Sequence, residues 1–215
     1  MKRISTLILT AVLVFGCLFS TASCAKLDTT GLLEAAPDLI ERSAFFNGLF
    51  YGDGIPYSAT DEEAIGNYYP ASPAFLDEHG FHTVKELKEK TKEVFSQNYC
   101  ESIFSSSVFS GYSSGVGTPI YARYSSNKAV NDPDEEKAET ILVSSVYEPL
   151  LACQTVYDFS TLTVSEVGKD YATVSLAIEL VYKPTEEKPS GERRESTLSV
   201  RFVYEDGWRI DSATY

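Results

Sequence analysis

Two histidines, His79 and His82, are the residues whose type and spacing come nearest to a metal site, since Asp77 and Glu78 lie directly beside them. Imidazole and carboxylate groups are common zinc ligands. The two histidines flank Gly80, however, in a loop that leads to a helix cap, where polar side chains usually face solvent. We therefore predict no metal site at this position.

A second group of ionisable side chains forms an acidic run before residue 140. Calcium is bound by carboxylate and carbonyl oxygens, but the run lacks the spaced ligands and the central glycine of an EF-hand loop. The pattern favours a solvated, charged loop. Its acidic residues are Asp132, Asp134, Glu135, Glu136 and Glu139.

Cys100 and Cys153 are the two cysteines that lie well beyond the N-terminal leader. A thiol nucleophile needs an activating base, and the chain's two histidines share one loop, so we predict no catalytic residue. In an oxidising compartment the two cysteines can form a disulfide, which would close a loop of about 50 residues and stabilise the fold by a few kcal/mol. Two unconnected thiols are the alternative, because a sequence does not give the Cα separation.

Tyrosines supply a third kind of candidate chemistry, since the chain contains 14 of them. A tyrosine ring offers a flat apolar face and a hydroxyl, which suits binding of a peptide or sugar. Several lie in segments rich in Gly and Ser, where turn formation is the simpler explanation. The segment 114–118 lacks the ending of a phosphate loop, so we predict no cofactor. The candidate partner-binding residues are Tyr51, Asp53, Tyr68, Tyr69, Tyr112, Tyr121 and Tyr124.

The first 24 residues have the pattern of an export signal, with Lys2 and Arg3 ahead of a nearly continuous apolar run. Small residues then precede Cys24, which is typical of a lipoprotein signal whose cysteine is acylated. Acylation at Cys17 and ordinary cleavage after Ala25 are the alternatives. The run is shorter than about 20 apolar residues, which argues against a transmembrane anchor. We expect an extracytoplasmic protein, either lipid-anchored or secreted to the cell wall.

The chain is strongly acidic, with a formal charge of −13 that becomes −15 once Lys2 and Arg3 are removed with the leader. Such a charge repels nucleic acid and anionic membranes, so we predict neither as a direct partner and expect membrane contact only through a lipid anchor. Solubility alone explains the charge most simply. If the charge serves recognition, it favours a basic protein partner.

The elements that must position these residues begin with helices in a single domain, 25–215. Pro37 suits a first helical turn and predicts a helix of about 14 residues. The segment 52–82 is rich in turn residues and is predicted to be irregular, with a small lobe as one interpretation. Thr83 and Glu86 form a capping box that starts a helix, and Ser96 caps a further short one.

Alternating patterns predict strands in the second half. The clearest are 171–182 and 197–204, followed by a tight turn at Asp206 and Gly207 that leads into Trp208, a predicted core anchor. Shorter strands are predicted at 120–124, 140–147, 153–159 and 161–166. Helices followed by strands predict an α+β fold, with N-terminal helices packed on a curved antiparallel sheet formed mainly by the C-terminal half.

Two parts of the chain resemble known families. The closing strands, with Phe202-Val203-Tyr204-Glu205-Asp206-Gly207-Trp208, resemble the ending of cystatin-like and nuclear-transport-factor-2-like domains. Residues 50–54, the Tyr68-Tyr69 pair, and residues 81–87 and 94–99 are similar to the IseA family of exported DL-endopeptidase inhibitors. The resemblance implies a cystatin-related fold and a non-catalytic protein that blocks peptidoglycan-cutting cysteine peptidases of the NlpC type.

A second function class is a small-molecule-binding or SnoaL-like domain with a pocket at the open end of the curved sheet. That function requires a concave site with convergent polar groups. The large apolar residues on the alternating strand faces favour a packed interior instead. We therefore expect a binding protein rather than an enzyme.

Overall fold

Two antiparallel sheets and a set of helices make up the computed structural model, which describes residues 26–58, 64–111, 121–128, 138–184 and 191–215. The leader with Cys17 and Cys24, and the loop residues Tyr112, Asp132, Asp134, Glu135 and Glu136, lie outside these ranges. The elements in chain order are α1 (Leu32–Tyr51), β1 (Tyr68–Pro70), α2 (Pro73–His79), α3 (Val84–Lys92), α4 (Gln97–Ser105), β2 (Tyr124–Ser126), β3 (Ile141–Ser144), β4 (Cys153–Val167), β5 (Ala172–Tyr182), β6 (Glu192–Tyr204) and β7 (Trp208–Ile210). The chain therefore has the α+β architecture predicted from the sequence.

The larger sheet comes from the C-terminal half, with strand order β4-β5-β6-β7. The two long strands β5 and β6 pair along their whole lengths, so that Ala172 lies opposite Phe202 and Val174 opposite Val200. All four of these side chains are buried. The alternation of apolar residues therefore marks the core face of this sheet, as predicted.

Strand β4 joins the two strands that were predicted at 153–159 and 161–166. Its pairing with β5 shifts register between Asp158 and Thr163. A bulge of this kind breaks the apolar alternation without ending the strand. The predicted boundary at residue 160 was therefore wrong, because the irregular pattern marked a bulge rather than a turn.

The tight turn into β7 has the predicted form. Asp206 and Gly207 both have positive φ, at 51° and 125°, and lie in the three-residue loop that the Tyr204–Trp208 pair closes. Trp208 and Ile210 behind the turn are buried. The expectation that Trp208 anchors the last strand in the core is confirmed.

Helix α1 begins five residues before the predicted start. Gly31, with φ of 75°, leads into it, and Leu32 and Ala36 in its first two turns are fully buried. Pro37 therefore lies in the second turn, where it lacks the amide that would bond to the carbonyl of Leu33. Burial of the first-turn residues outweighs that loss. No helix within the described ranges is long and apolar enough to span a membrane.

Both predicted helix caps are present. The Thr83 hydroxyl accepts a hydrogen bond from the amide of Glu86 at 3.1 Å, and the Glu86 carboxylate accepts one from the amide of Thr83 at 3.3 Å. The Ser96 hydroxyl accepts from the amide of Tyr99 at 3.0 Å. These polar residues start α3 and α4 because they satisfy amides that have no partner within the helix.

The segment 52–82 contributes regular structure that the sequence reading did not predict. Strand β1 pairs with β3 in a smaller sheet of order β1-β3-β2. Helix α2 starts at Pro73 and ends at His79, and Gly80, with a φ of 64°, caps its C-terminus. The side chains of Ile55 and Phe81 belong to the same buried core as α1 and β5.

Arg123, next to strand β2 of the small sheet, forms hydrogen bonds to the C-terminal end of α1. Its side chain is only 3% exposed and donates hydrogen bonds to the carbonyls of Phe50 at 3.2 Å and Gly52 at 2.7 Å. The guanidinium also lies 4.5 Å from the ring centroid of Tyr147. Gly54, with φ of 83°, makes room for it, because a Cβ there would lie 2.1 Å from Nη2. Carbonyls at a helix C-terminus carry partial negative charge, which balances the buried cation.

Candidate functional site

The exposed and partly exposed aromatic rings that best suit binding lie on β1 and on segments next to β1 and β2. The ring of Tyr69 stacks on that of Tyr57, with centroids 5.4 Å apart and planes 16° from parallel. A backbone bridge to Ala71 holds Tyr57 against the strand. Tyr57 remains 36% exposed. We term Tyr57, Tyr69 and Tyr121 the aromatic edge.

Tyr121, the third member of the aromatic edge, rests on Tyr68. The two rings meet edge to face, with centroids 6.3 Å apart. Tyr121 is 38% exposed, whereas Tyr68 is buried and donates its hydroxyl to the carbonyl of Ala122 at 2.9 Å. Burial raises the pKa of Tyr68 above its usual value. Tyr68 therefore serves as a fixed support and leaves little ring surface for a partner.

Tyr124, another predicted partner-binding residue, is almost fully buried. Its hydroxyl donates to the carbonyl of Leu49 at 2.6 Å and accepts from the amide of Ile55 at 3.1 Å. Burial raises its pKa, which keeps the phenol protonated and able to donate. Like Arg123, Tyr124 ties β2 to the end of α1, and its ring is not available to a partner.

Tyr51 and Asp53, the remaining predicted residues, lie beside a different feature, a cleft between α1 and β4. This helix-end cleft has a volume of about 370 Å³. Asp53 forms an ion pair with Lys183 at its mouth, with Oδ1 and Nζ 2.8 Å apart. The Tyr51 ring lies 5.1 Å from that of Tyr215, which lines the cleft. The structure thus divides the predicted residues between the aromatic edge and the helix-end cleft.

Polar groups converge behind the helix-end cleft. Asn47 of α1 donates from Nδ2 to the hydroxyl of Thr214 at 2.7 Å, and the Ser43 and Thr214 hydroxyls are 2.6 Å apart. The Tyr157 hydroxyl donates to the carbonyl of Thr214 at 3.1 Å, and burial raises the pKa of Tyr157 to about 12. Asn47 Oδ1 is buried and has no hydrogen-bond partner within the described structure. The cleft therefore has a polar floor next to apolar walls.

The two histidines do not form a ligand pair. His79 packs against the rings of Phe45 and Phe75, at centroid distances of 4.7 and 4.3 Å. His82 is exposed, with Nδ1 3.8 Å from a carboxylate oxygen of Asp77. Among the residues that the structure describes, no group of three or more His, Cys, Asp and Glu side chains is placed to hold a metal ion.

Cys100 and Cys153 are both free thiols in the structure, which corresponds to the alternative of two unconnected thiols. Cys100 lies on the buried face of α4, and its Sγ is 3.7 Å from the carbonyl oxygen of Phe95. Burial raises the pKa of Cys100 to about 12, which disfavours the reactive thiolate. Cys153 instead starts β4 and lines the helix-end cleft. The two side chains thus have separate surroundings.

Three residues of these sites were not identified from the sequence. Tyr57 follows a proline and could have been grouped with the other loop tyrosines. Asn47 lies within an apolar helical pattern, where a single polar residue is a weak signal. Arg123 has no local signal at all, since its partners are carbonyls about 70 positions earlier in the chain.

Comparison with known proteins gave no match to a family model, a curated protein or a solved structure.

Proposed function

We propose that the chain is an exported, non-catalytic binding protein of the cell surface, held by an acylated Cys24 or Cys17 or secreted freely. Its partner is a basic protein, and the resemblance to the IseA family favours an NlpC-type peptidoglycan endopeptidase that the chain inhibits. A cystatin-like or nuclear-transport-factor-2-like domain is the fold type that goes with this function. The observation that carries the proposal is the aromatic edge.

The aromatic edge suits protein recognition because Tyr57 and Tyr121 are exposed, Tyr69 is partly exposed, and ring contacts hold all three in place. Tyr57 and Tyr69 are already stacked, so binding would cost little side-chain entropy. Tyrosine contributes a large apolar contact and a hydroxyl that can hydrogen-bond at the rim of an interface. Tyr121 adds another exposed ring, which rests against Tyr68.

The charge of the chain supports a basic partner. A formal charge of −13 speeds encounter with a positively charged protein, and the effect weakens as salt screens it. The surroundings of the histidines and of Cys100 provide no activated nucleophile. Binding is thus better supported than catalysis.

Inhibition of muropeptide cleavage tests the proposal directly. Purified protein should slow an NlpC-type hydrolase, and the inhibition should weaken as the salt concentration is raised from about 50 to about 300 mM. The Tyr57→Ala/Tyr69→Ala variant should inhibit at least tenfold less well, as expected for loss of aromatic interface residues. Tyr204→Ala is the matched control, because Tyr204 is 60% exposed and also contacts another ring, Trp208. Failure to inhibit any of several such hydrolases would reject the proposal.

The helix-end cleft supports a second function, binding of a small molecule. Its walls come from both a helix and the sheet, as the alternative interpretation of the sequence requires. Gly48 lines it, and a Cβ added there meets no atom within 4 Å. A Gly48→Leu variant should therefore fill the cleft and abolish thermal stabilisation by any compound that a screen identifies. Stabilisation that survives this change would place the compound elsewhere.

A further inference from the structure

A second cleft, unrelated to the aromatic edge, lies between α3, α4 and β2 and has a volume of about 610 Å³. Three lysines of α3 face it at intervals of three and four residues, which places them on one side of the helix. Phe104 and Phe109 form an apolar wall. The charged side chains that line it are Lys85, Lys88, Glu89, Lys92, Lys128 and Glu139. We term this feature the lysine cleft.

The charge of the lysine cleft is opposite to that of the chain. Four lysines and two glutamates line it, whereas the chain as a whole has a formal charge of −13. One of those glutamates, Glu89, is paired with Lys92, with Oε1 and Nζ 2.8 Å apart. The cleft is therefore a positive surface on an acidic protein, which attracts anions locally.

Lys88 occupies an unusual position in this cleft. Its ammonium lies 4.7 Å from the ring centroid of Phe109 and 5.2 Å from that of Phe104. Burial, and then the charge of Lys92, lower its pKa. The charge is therefore held against aromatic rings and beside another cation, and a bound anion would stabilise it.

We infer that the lysine cleft binds a small organic anion, with its acid group at Lys85 and Lys88 and an apolar body against Phe104 and Phe109. The acid group is a carboxylate or a phosphate, because an ammonium acts on either as a point charge. The two rings meet edge to face, 5.7 Å apart, and present apolar surface next to the charge. This site is independent of the proposed function.

Titration of phenyl phosphate into ¹⁵N-labelled protein at low salt tests the inference. Amide signals of α3 and of Phe109 should shift and saturate. Lys88→Met should weaken binding by about tenfold, since a hydrogen bond to a charged group is lost while the apolar stem is kept. Lys85→Met is the second test variant. Lys90→Met is the control, because Lys90 lies on the same helix outside the cleft. A dispersed spectrum shows that each variant folds.

Three comparison compounds separate the contributions to binding. Phenylacetate combines the ring with a carboxylate. Inorganic phosphate has the charge without the ring, and benzyl alcohol has the ring without the charge. Tighter binding of phenyl phosphate or phenylacetate than of the other two supports the inference and identifies the acid group.

Several results would overturn the inference. The first is the absence of saturable shifts with both phenyl phosphate and phenylacetate. The second is an affinity for phenyl phosphate that is the same in Lys88→Met as in the unaltered protein. The third is an affinity for benzyl alcohol equal to that for the two acids. The inference would also be overturned if phenyl phosphate shifted these signals only in a variant in which Asp132, Asp134, Glu135 and Glu136 are replaced by neutral residues. That result would mean that the chain's own acidic run occupies the cleft.

Discussion

At the scale of single residues, Arg123 shows how a buried charge can be stabilised without a carboxylate. Its guanidinium donates to Phe50 and Gly52 at the end of α1 and lies against the ring of Tyr147. An arginine suits this position because separate nitrogens of its planar guanidinium donate to the two carbonyls. Loss of the side chain would leave the buried Gly52 carbonyl without this donor, while the Phe50 carbonyl would keep a hydrogen bond from the Tyr147 hydroxyl at 3.3 Å.

We therefore expect Arg123→Met to lower the free energy of unfolding by about 2–4 kcal/mol. Urea denaturation followed by circular dichroism measures the change. Arg42→Met is the control, because Arg42 forms an exposed ion pair with Glu93, and such pairs contribute about 0–1 kcal/mol. Equal effects of the two substitutions would show that the bonds of Arg123 contribute little to stability.

The two free thiols should differ in reactivity because they differ in burial. Cys100 is in the core with its pKa raised to about 12, whereas Cys153 is partly exposed at the start of β4. In a variant without Cys17 and Cys24, a disulfide reagent at pH 8 should modify one thiol quickly and the other only after unfolding. Mass spectrometry should locate the fast adduct on Cys153. Fast modification of Cys100 would contradict the described core.

At the scale of elements, the C-terminal end of α1 has two glycines with opposite expected roles, Gly48 inside the helix and Gly52 directly after it. A Cβ added at Gly48 would point into open space, whereas a Cβ at Gly52 would lie 2.8 Å from the carbonyl oxygen of Gly48. Alanine at position 48 should therefore stabilise the protein by about 0.5–1 kcal/mol, because glycine has the poorer helix propensity. Alanine at position 52 should destabilise it. Thermal unfolding of both variants checks the predicted signs.

Local signals account for the elements that the sequence predicted well. The capping box at Thr83, the cap at Ser96 and the turn at Asp206 each depend on a few adjacent residues, and all three are confirmed. Helix α2 had comparable signals, Pro73 at its start and Gly80 at its end, but it is short and lies within a turn-rich segment. The sequence therefore contained signals for this helix, and the helix was not predicted because it is short.

Long-range contacts account for what the sequence did not predict. The β1-β3 pairing joins residues more than 70 positions apart, so no local pattern indicates it. The same holds for the split of the predicted tyrosines, since Tyr69 and Tyr121 were expected on binding loops and are instead placed by the small sheet. Their exposure depends on neighbours that only the fold brings together.

At the scale of the whole molecule, buried phenols and thiols make the fold sensitive to alkali. Burial raises the pKa of Tyr51, Tyr99 and Tyr157 above the ordinary value of 10.0, and that of Cys100 above 9.0. The folded state thus holds these protons more tightly than the unfolded state. Their contribution to stability is complete below about pH 9 and is lost as the pH rises toward the folded values. Lys88, whose pKa is lowered, acts in the opposite direction.

We expect the free energy of unfolding to be level from pH 7 to about pH 9 and to fall above it. Urea titrations at half-unit intervals up to pH 11 give the profile. Tyr157→Phe should make the decline shallower, whereas Tyr204→Phe, at an exposed site, should not. A profile that stays level to pH 11 would contradict the burial of these groups.

The close approach of Gly54 to Arg123 has a consequence for the ancestry of this protein. A side chain at position 54 and a guanidinium from position 123 cannot occupy the same space, since a Cβ would lie 2.1 Å from Nη2. In descendants of a common ancestor, a side chain at position 54 should therefore occur only where position 123 is no longer arginine. Paired variation at positions 54 and 123, with the tyrosine at 124 retained for its bond to Leu49, would identify distant relatives whose overall similarity has been lost.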